Sequence, residues 1–585
     1  MKPPRQVPML PWPADAALVM PGSKSAANRL LIAAAALGSP VELEGASPSD
    51  DVQHLVAGLR TLGHDVAFDA AAERIRLGAR PPRPPAGGTL LCGNAGTALR
   101  FLVSLAAITP GDWTIDGDEA MRRRPIGPLT AAWRQLGIDA HDHAGCPPVR
   151  VRGGVPSQAT VLLDASASSQ FLSSLLLVGA ALPFPLHVRL TGELASRDYA
   201  ALTLRTLAQL GVQATSTQDR EFTVSPHRGP VPGRIVVDGD WSSMGMWTCL
   251  QHLTGSRVRA ANLPADSGQA DERLADVLRA MPATGEHTID VAAMPDQFLD
   301  LAIVAAHRAG TTRLVGGRNL RVKESDRIAV MARELTKLGA RVDERADGLV
   351  VHGGRPLRPG VVDPHGDHRV AMAFALAGLL SPGIAIAEPD CVTKSYPHFW
   401  RDLDNVVGAT RCVAVIGMRG AGKSTFARSL AARTGRRWID SDALFVAAHG
   451  EIAPFVAAHG WPAFRREEAR LVADALQPGA VVSTGGGAIE SDATRALLHE
   501  RALVVWLEAP APVLRTRLGD GALRPSLTGR EVADEIVDVL AHREPLYRAL
   551  ADVRLDALLP TAAMVDAALV ALGTRCRWPG TATKP

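Results

Sequence analysis

Short apolar runs alternate with longer Ala- and Leu-rich segments along the whole chain. The runs at 413–417 and 502–507 have the length and composition of buried strands, and we interpret the run 179–190 in the same way. The longer segments between them are typical of helices. Regular alternation of the two element types predicts an α/β fold.

A helix-stop signal of the form L-G-x-x-[VA] recurs in the first two thirds of the chain. Glycine directly after a helix, followed by an apolar β-type residue, is a common way to end a helix and start a strand. The signal occurs at Leu62-Gly63, Leu136-Gly137, Leu210-Gly211 and Leu338-Gly339. The intervals of about 75, 75 and 130 residues predict repeated α/β modules before residue 405.

One segment, 370–387, is uncharged and long enough to be considered as a membrane span. The sequence Ser381-Pro382-Gly383 interrupts it, which predicts a buried helix followed by a short strand. The N-terminal segment is rich in proline and has no apolar core of a secretory signal. We therefore expect no membrane partner.

Composition narrows the class of protein. With 585 residues the chain is expected to form several domains, and 46% apolar with 21% charged residues is typical of globular proteins. A net charge of +3 is too small to indicate a nucleic-acid surface. Scattered cysteines without a CxxC pair indicate thiols of a reducing compartment, so we expect a cytoplasmic protein. We also expect a monomer. The cysteines are Cys92, Cys146, Cys249, Cys391, Cys412 and Cys576.

The segment Gly417–Thr425 has the form GxxxxGKST and lies between an apolar strand and a predicted helix, 424–434. Glycines let backbone N–H groups surround phosphates, and the helix N-terminus adds positive potential. In such a P-loop Lys423 reaches the β/γ-phosphates and Ser424 binds Mg²⁺. The segment predicts ATP-dependent phosphoryl transfer, with an ATP-binding loop made of Gly420, Ala421, Gly422, Lys423, Ser424 and Thr425.

Five further motifs follow the P-loop in a fixed order. They are Asp440-Ser441-Asp442, Phe464-Arg465, Gly485-Gly486-Gly487, Arg524-Pro525 and Arg543-Glu544-Pro545-Leu546-Tyr547. Each is weak alone, because Asp-x-Asp is common in turns and arginines are usually solvated. Their order and spacing strongly resemble shikimate kinase over residues 411–575.

That resemblance implies roles for individual residues on the substrate side. Asp442 would bind and deprotonate the shikimate hydroxyl. Arg465 and Arg543 would grip the shikimate carboxylate, for which a planar guanidinium is well shaped. Gly486 and Gly487 would let the substrate approach the backbone.

On the nucleotide side, the resemblance places Asp440 near Mg²⁺ together with Ser424. Arg517 would stack on adenine, and Arg524 would face the transferred phosphoryl group from a mobile lid, 518–530. The lid sequence departs in detail from better-known members of the family.

The front region carries basic and small polar motifs on separate predicted elements. Pro21–Ser25 with Arg29, and Gly93–Thr97 with Arg100, open helices in the manner of anion-binding N-termini. The other motifs are Arg122–Pro125, Ser166–Leu172, Met294–Asp296, Asn319–Arg327, Asp367–Arg369 and Thr393-Lys394. Singly they are compatible with helix caps and solvated charges. Together they suit a site for two phosphorylated, carboxylated substrates.

This set resembles 5-enolpyruvylshikimate-3-phosphate (EPSP) synthase along nearly all of residues 1–405. The resemblance implies two inside-out α/β domains of three similar units each, closing about a two-segment hinge, ahead of a P-loop kinase domain with a parallel sheet. The expected divisions are 20–223, 1–19 plus 224–405, a linker at 404–411, the kinase at 412–575 and a tail at 576–585.

By the same resemblance, the front region joins phosphoenolpyruvate to shikimate 3-phosphate. Asp296 would take the proton from the 5-hydroxyl as it attacks C2 of phosphoenolpyruvate, and Glu324, assisted by Lys24, would protonate C3. Contacts to shikimate 3-phosphate would come from Lys24, Ser25, Arg29, Ser168, Ser169, Gln170, Ser196, Tyr199, Asp296, Asn319 and Lys323. Contacts to phosphoenolpyruvate would come from Lys24, Gly96, Arg124, Gln170, Arg327, Arg369 and Lys394.

Three alternative functions belong to different classes of protein. An enolpyruvyl transferase acting on UDP-N-acetylglucosamine usually has a loop cysteine, which residues 121–130 lack. Another small-molecule kinase is disfavoured by Asp442 with Arg465 and Arg543. A P-loop module that only senses nucleotide remains a third hypothesis. The roles of Arg122 and Arg123 stay open, and Gly96, where the family leaves room for glyphosate, implies sensitivity to that inhibitor.

Overall fold

The structure is a computed structural model that describes residues 3–10, 13–80, 83–434, 436–518 and 532–575, the side chains of 532–534 and 572–575 excepted. It contains two compact units. The first consists of Met1–Met9, Ala17–His252 and Arg259–Asp402, and the second of Leu10–Ala16, Leu253–Val258 and Leu403–Pro585. Two short segments of the front region are thus grouped with the C-terminal part, which the sequence did not indicate.

Nineteen α-helices occur in the described residues. Those that begin in the first unit are α1 (Lys24–Leu37), α2 (Asp50–Thr61), α3 (Gly96–Ala107), α4 (Gly127–Gln135), α5 (Ser169–Gly179), α6 (Arg197–Gln209), α7 (Trp241–Thr254), α8 (Leu274–Ala280), α9 (Phe298–His307), α10 (Arg327–Lys337), α11 (His368–Leu380) and α12 (Phe399–Gly408). Those of the second unit are α13 (Lys423–Thr434), α14 (Ser441–His449), α15 (Ile452–Ala475), α16 (Asp492–Arg501), α17 (Ala511–Leu518), α18 (Val532–Leu550) and α19 (Thr561–Arg575).

Strands before residue 300 are β1 (Arg5–Gln6), β2 (Asp15–Leu18), β3 (Val41–Glu44), β4 (Val66–Asp69), β5 (Arg74–Leu77), β6 (Gly87–Leu91), β7 (Gly111–Asp116), β8 (Asp139–His143), β9 (Cys146–Gly153), β10 (Thr160–Leu163), β11 (Leu186–Leu190), β12 (Ala214–Thr217), β13 (Glu221–Val224), β14 (Arg234–Val236), β15 (Arg257–Ala260) and β16 (Glu286–Asp290). The later strands are β17 (Gly310–Val315), β18 (Arg341–Arg345), β19 (Gly348–Gly353), β20 (Gly360–Val362), β21 (Ile384–Ile386), β22 (Cys412–Ile416), β23 (Trp438–Asp440), β24 (Val481–Ser483), β25 (Ala502–Glu508) and β26 (Val553–Asp556).

Four sheets of the first unit share one strand order. The orders are β6-β7-β9-β8, β10-β11-β13-β12, β14-β3-β5-β4 and β16-β17-β19-β18. In each, a parallel pair of strands is extended by an antiparallel hairpin. The four L-G signals fall at the helix that precedes each hairpin, and Gly63, Gly137, Gly211 and Gly339 have φ of 91°, 88°, 77° and 87°. The predicted repeated modules are therefore present.

Helices form the interior of these modules. Nearly every residue of α3, α5, α9 and α11 is buried, whereas β11 alternates buried and exposed positions. Sheets that cover buried helices give the inside-out arrangement expected from the resemblance. Because α1, α3 and α5 pack on one another, their N-termini can present side chains to a common region.

Two local predictions need correction. Only Leu186–Leu190 of the run 179–190 is a strand, because α5 extends to Gly179 and the prolines at 183 and 185 keep the intervening residues in a turn. Residues 404–408 of the predicted linker are helical, since α12 continues to Gly408. The prediction for 370–387 is confirmed as α11 followed by β21.

In the second unit five parallel strands form one sheet in the order β23-β24-β22-β25-β26. Its central strand β22 is buried along its whole length and leads directly into the P-loop. The residues before it are held within the same unit: Thr410 forms a bridge with Ala14, and Ala14 N–H donates to Ser256 Oγ at 3.0 Å. Among the described helices, none has both the length and the apolar content needed to cross a bilayer.

Candidate active sites

Predicted site residues of the first unit lie at the starts of helices. Lys24 opens α1, Gly96 opens α3 and Ser169 opens α5, while Arg327 opens α10. A helix N-terminus offers unpaired N–H groups and a positive end of the helix dipole. The fold therefore directs several such ends at one region, which favours binding of anions.

That region is a cavity open to solvent, with about 710 Å³ of space between its walls when the open part is included. Its walls bring together residues that are far apart in sequence and that the resemblance assigned to substrate binding. The predicted residues that line it are Lys24, Ser25, Arg29, Gly96, Arg124, Ser168, Ser169, Gln170, Ser196, Tyr199, Asp296, Asn319, Lys323, Glu324, Arg327 and Arg369. Lys394 lies beside the cavity, where its Nζ atom is 3.1 Å from Glu324 Oε1 and donates to the Asn94 carbonyl at 2.7 Å.

The amine of Lys24 donates to Asp51 Oδ2 at 2.8 Å, and the Asp51 side chain is 4% exposed. Burial alone would lower the pKa of Lys24, but Asp51 and Glu324 raise it above the usual value. Lys24 is therefore kept as a cation inside the cavity. Asp51 was missed by the sequence analysis, although it also lines the cavity.

Asp296 is surrounded by cations. Its Oδ1 accepts from Arg327 Nη1 at 2.8 Å, its Oδ2 lies 3.0 Å from Arg369 Nη2, and the Tyr199 hydroxyl is 3.3 Å away. Burial would raise the pKa of Asp296, but Arg369, Arg327 and Lys323 hold it well below the usual range. This carboxylate is therefore ionised, as a proton acceptor must be.

Glu324 has a similar environment. Its Oε2 accepts from Arg327 Nη2 at 3.0 Å, and Lys394 contacts its other oxygen. Burial raises its pKa, yet Lys394, Arg327 and Arg124 outweigh burial and hold the pKa well below the usual value. Neither candidate carboxylate has a raised pKa in the substrate-free site.

Arg327 and Arg369 are themselves positioned by Asp367. Arg327 Nε donates to Asp367 Oδ2 at 2.9 Å, and Asp367 Oδ1 accepts the Arg369 N–H at 3.0 Å as the N-cap of α11. Next to it, His368 is fully buried, and burial together with Lys24 and Arg369 lowers its pKa well below the usual value. The imidazole is therefore neutral.

Polar residues predicted to contact shikimate 3-phosphate are linked by hydrogen bonds. Gln170 accepts from Arg100 at 2.7 Å and donates to Thr97 at 3.0 Å. Ser168 caps α5, and Asn319 lies 3.5 Å from Ser196 Oγ. Arg29 is buried and donates to Thr203 at 2.9 Å.

Two cations of the cavity, Lys323 and Arg124, are strongly affected by their immediate surroundings. Lys323 has its pKa lowered to about 8 by burial, although Asp296 opposes the shift. Arg124 packs so closely on Gly96 that a Cβ atom there would lie 2.8 Å from Arg124 Nη2. The absence of a side chain at 96 thus determines where Arg124 sits.

Arg122 and Arg123, whose roles the sequence left open, point elsewhere. Arg122 donates to both oxygens of Asp116, at 3.1 and 2.6 Å, and Arg123 pairs with exposed Glu119 at 2.8 Å. These pairs lie outside the residues that line the cavity.

The second site is built around the P-loop. Gly420 and Gly422 have φ of 79° and 92°, which other residues rarely adopt. Lys423 Nζ donates to the Met418 carbonyl at 3.0 Å. Ser424 Oγ donates to Asp440 Oδ2 at 2.6 Å, so the two predicted Mg²⁺ ligands are adjacent.

Arg465 and Arg543 meet at one carboxylate, that of Glu490. Glu490 Oε1 accepts from Arg543 Nε at 2.9 Å, and Glu490 Oε2 lies 3.3 Å from Arg465 Nη2. Arg465 Nη1 donates to Glu468 Oε2 at 2.6 Å. Burial raises the pKa of Glu468, and Arg465 opposes the shift. The two arginines predicted to grip a substrate carboxylate are thus brought together.

Neighbouring atoms leave little room for side chains in the triple-glycine loop. A Cβ at Gly485 would lie 2.1 Å from Glu468 Oε1 and 2.9 Å from Asp442 Oδ1, and one at Gly487 would lie 2.1 Å from Arg465 Nη2. At Gly486 it would approach the Arg419 N–H to 3.1 Å. The loop therefore borders both the predicted base and the predicted arginine pair.

Two nucleotide-side predictions have different outcomes. Arg517 donates to the Ala557 carbonyl at 2.8 Å at the end of α17. Arg524 and nearly all of the predicted lid lie outside the described residues, as does Cys576. The other five cysteines are free.

The sequence assigned no role to four carboxylates that hold predicted cations, of which Asp367 was named only within the motif Asp367–Arg369: Asp51, Asp367, Glu468 and Glu490. Asp367 had a usable signal, because it directly precedes His368-Arg369 as a helix N-cap. Glu468 lies three residues after Arg465, at helical pairing distance. Asp51 and Glu490 become partners only through the tertiary fold.

An inside-out α/β transferase fold with a cation-lined cavity, followed by a P-loop sheet with a carboxylate-binding arginine pair, defines an enolpyruvyl transferase joined to a small-molecule kinase. A family model described as EPSP synthase (3-phosphoshikimate 1-carboxyvinyltransferase) matches residues 12–403, and one described as shikimate kinase matches 419–572. The chain belongs to the EPSP synthase family and carries a shikimate kinase domain behind it.

Some curated relatives match about two thirds of this chain, and others match more than four fifths of it. A 3-phosphoshikimate 1-carboxyvinyltransferase of Rhizobium leguminosarum bv. trifolii is 37% identical over 66% of this chain and 92% of its own length. The pentafunctional AROM polypeptide of Komagataella phaffii is 32% identical over 92% of this chain, and that of Eremothecium gossypii is 32% identical over 83%. The chain spans 39% and 35% of the length of these two polypeptides.

Among solved structures, an EPSP synthase from Acinetobacter baumannii has the same fold as the front region. The TM-score is 0.57 at 24% identity, covering 70% of this chain and 98% of that one.

Proposed function

We propose that this chain catalyses two consecutive steps of the shikimate pathway of aromatic amino acid biosynthesis. The C-terminal domain transfers the γ-phosphoryl group of ATP to shikimate, which gives shikimate 3-phosphate and ADP. The front region then joins that product to phosphoenolpyruvate and releases phosphate. The product of one site is the substrate of the other, which supports both assignments together.

The observation that carries the transferase proposal is the cavity in which cations from separate helices surround two carboxylates. Lys24, Arg124, Arg327, Arg369 and Lys394 supply positive charge for two phosphates and two carboxylates. Asp296, held ionised by these cations, takes the proton of the substrate hydroxyl as the hydroxyl oxygen attacks C2 of phosphoenolpyruvate.

Glu324 is the proposed acid, and it starts with a lowered pKa. Substrate phosphates and carboxylates pair with Lys394, Arg327 and Arg124, the cations that lower it. Once these charges are neutralised, burial dominates and the pKa of Glu324 rises. Binding of both anions thus prepares the proton donor, with Lys24 beside it. In the tetrahedral adduct, C3 then gives the added proton back to the site as the bond between C2 and the phosphate oxygen breaks. The double bond is restored and phosphate is released.

In the kinase domain, Asp442 acts as the base for the shikimate hydroxyl, and Arg465 with Arg543 holds the shikimate carboxylate. Lys423 and the backbone of the P-loop hold the phosphates. Ser424 and Asp440 would hold Mg²⁺, which neutralises charge on the transferred phosphoryl group. Two adjacent oxygen donors fit an ion that takes its remaining ligands from phosphate and water.

We also propose that the enzyme works as a monomer in the cytoplasm, in line with its separate free cysteines. Size-exclusion chromatography with light scattering tests the monomer, and fractionation of the native host tests the compartment.

One experiment tests the two activities separately. The chain is incubated with shikimate, ATP, Mg²⁺ and phosphoenolpyruvate, and ADP and phosphate are followed independently. Asp442→Asn should abolish ADP release while phosphate release from added shikimate 3-phosphate persists. Asp296→Ala should spare ADP release and abolish phosphate release. ATP binding without any shikimate-dependent ADP release would instead favour a nucleotide-sensing module.

A further inference from the structure

The arginine pair of the kinase site already binds a carboxylate of the chain itself. Glu490 reaches Arg543 Nε with one oxygen, at 2.9 Å, and Arg465 Nη2 with the other, at 3.3 Å. The side chain of Arg543 is 3% exposed and that of Glu490 is 33% exposed. A partly exposed acid thus bridges the two guanidinium groups.

The bridge engages atoms that a substrate carboxylate needs. Both terminal nitrogens of Arg465 are engaged, Nη1 by Glu468 and Nη2 by Glu490. A carboxylate usually binds a guanidinium through two parallel N–H···O bonds. A substrate that uses the terminal nitrogens of Arg465 must therefore replace one of the two internal partners.

Glu490 is the partner that can be replaced. Glu468 is 5% exposed and lies 2.6 Å from Arg465, so leaving that contact would strand a buried carboxylate. Glu490 has the longer contact to Arg465 and faces solvent. It also uses the Nε edge of Arg543, so it can keep that bond when Arg465 is taken.

Position in the fold supports such an exchange. Glu490 is the last residue of the short 3₁₀ helix Ala488–Glu490, which directly follows the triple glycine beside Asp442 and Arg465. A side chain on this segment lies at the border of the proposed shikimate site and outside the P-loop.

We propose that Glu490 sets the affinity of the kinase site for the substrate's carboxylate, by bridging the arginine pair and releasing Arg465 when substrate binds. The inference rests on the proposed shikimate kinase function. It implies that the site discriminates between carboxylated and uncharged ligands less sharply than the arginine pair alone would.

The test replaces the charge and keeps the shape. Glu490→Gln retains an acceptor for Arg543 Nε, so the dissociation constant of shikimate, measured by calorimetry without nucleotide, should fall by roughly three- to tenfold. KM for shikimate in the kinase assay should fall in parallel. The uncharged methyl ester of shikimate should bind the variant and the parent chain equally well.

Glu467→Gln is the matched control, because Glu467 is 34% exposed, pairs with Arg470 at 3.0 Å and belongs to the same domain. Its shikimate affinity should equal that of the parent chain. Glu490→Asp, which retains the charge but cannot span both arginines, should show a smaller gain than Glu490→Gln.

The outcomes separate two failures. Absence of shikimate-dependent ADP release in the parent chain would refute the kinase function itself. If the parent chain is active but Glu490→Gln binds shikimate equally or more weakly, Glu490 serves to position the arginines and the inference is wrong. Equal gains for shikimate and its methyl ester would also overturn it, because the effect would not depend on the carboxylate.

Discussion

The Nζ atom of Lys24 lies 2.8 Å from Oδ2 of Asp51, 27 residues later in the chain. Lys24 begins a buried helix, so desolvation works against its charge. Asp51 reverses the balance and keeps the pKa of Lys24 above the usual value. A cation that we propose to contact both substrates therefore depends on a carboxylate that need not touch either.

Replacing Asp51 by Asn should make transferase activity sensitive to alkaline pH. Without the carboxylate, burial lowers the pKa of Lys24, so the amine loses its proton at a lower pH. We expect kcat/KM to fall by roughly tenfold or more at neutral pH, the value of one charged hydrogen bond. The descending limb of its pH profile should move to lower pH. Loss of activity with an unshifted profile would mean that Asp51 acts on folding alone, which thermal unfolding would detect.

Lys323 should give the transferase a second alkaline limb. Its pKa of about 8 means that the amine is charged below that pH and neutral above it, so affinity for shikimate 3-phosphate should decline above about pH 8. KM for shikimate 3-phosphate, measured between pH 6 and 10, should rise while KM for phosphoenolpyruvate changes less. Lys323→Arg should remove this rise, because guanidinium stays protonated. An identical pH dependence in the arginine variant would refute the assignment.

Much of the fold could be predicted from short sequence patterns. The four L-G signals depend on one backbone conformation, a positive φ after a helix, and each marks a module of the structure. The P-loop and the anion-binding helix starts are local for the same reason. The prediction of a strand over 179–190 was wrong because it rested on apolar composition alone. Two prolines in this run keep the strand from beginning before Leu186.

The carboxylates that pair with these cations could not be predicted from local sequence patterns. Glu490 and Arg543 are 53 residues apart, and no periodicity connects them. The sequence predicts which cations would bind substrate because their motifs are compact. It does not indicate which carboxylates position them, because that depends on how the sheet and helices pack.

Gly96→Ala should impair phosphoenolpyruvate binding through Arg124. The added methyl group would lie 2.8 Å from the guanidinium, closer than carbon contacts allow, so Arg124 must move. KM for phosphoenolpyruvate should rise by roughly tenfold, equivalent to about 1.4 kcal/mol, with a smaller change for shikimate 3-phosphate. Gly154→Ala is the control, because its Cβ would meet no atom within 4 Å. An unchanged KM for phosphoenolpyruvate would exclude Arg124 from its binding.

Asp440 caps a helix and is also the proposed Mg²⁺ ligand, and two substitutions can separate these roles. Its Oδ1 accepts from the N–H groups of Asp442 and Ala443 at the start of α14, while its Oδ2 accepts from Ser424 and Ser483. Asp440→Asn keeps an oxygen for the cap but removes the charge proposed to attract Mg²⁺. The Mg²⁺ concentration for half-maximal kinase rate should rise by roughly tenfold, with thermal stability nearly unchanged.

Asp440→Ala removes the cap as well and should lower stability by about 1 kcal/mol. Because the cap includes the N–H of Asp442, this variant should also misplace the proposed base and reduce kcat at saturating Mg²⁺, which Asp440→Asn should largely preserve. Transferase activity, measured with added shikimate 3-phosphate, serves as the internal control and should stay at the parent level in both variants. If Asp440→Asn needs no more Mg²⁺ than the parent chain, the carboxylate acts through the helix cap alone, and the ion is held by Ser424 and the substrate phosphates.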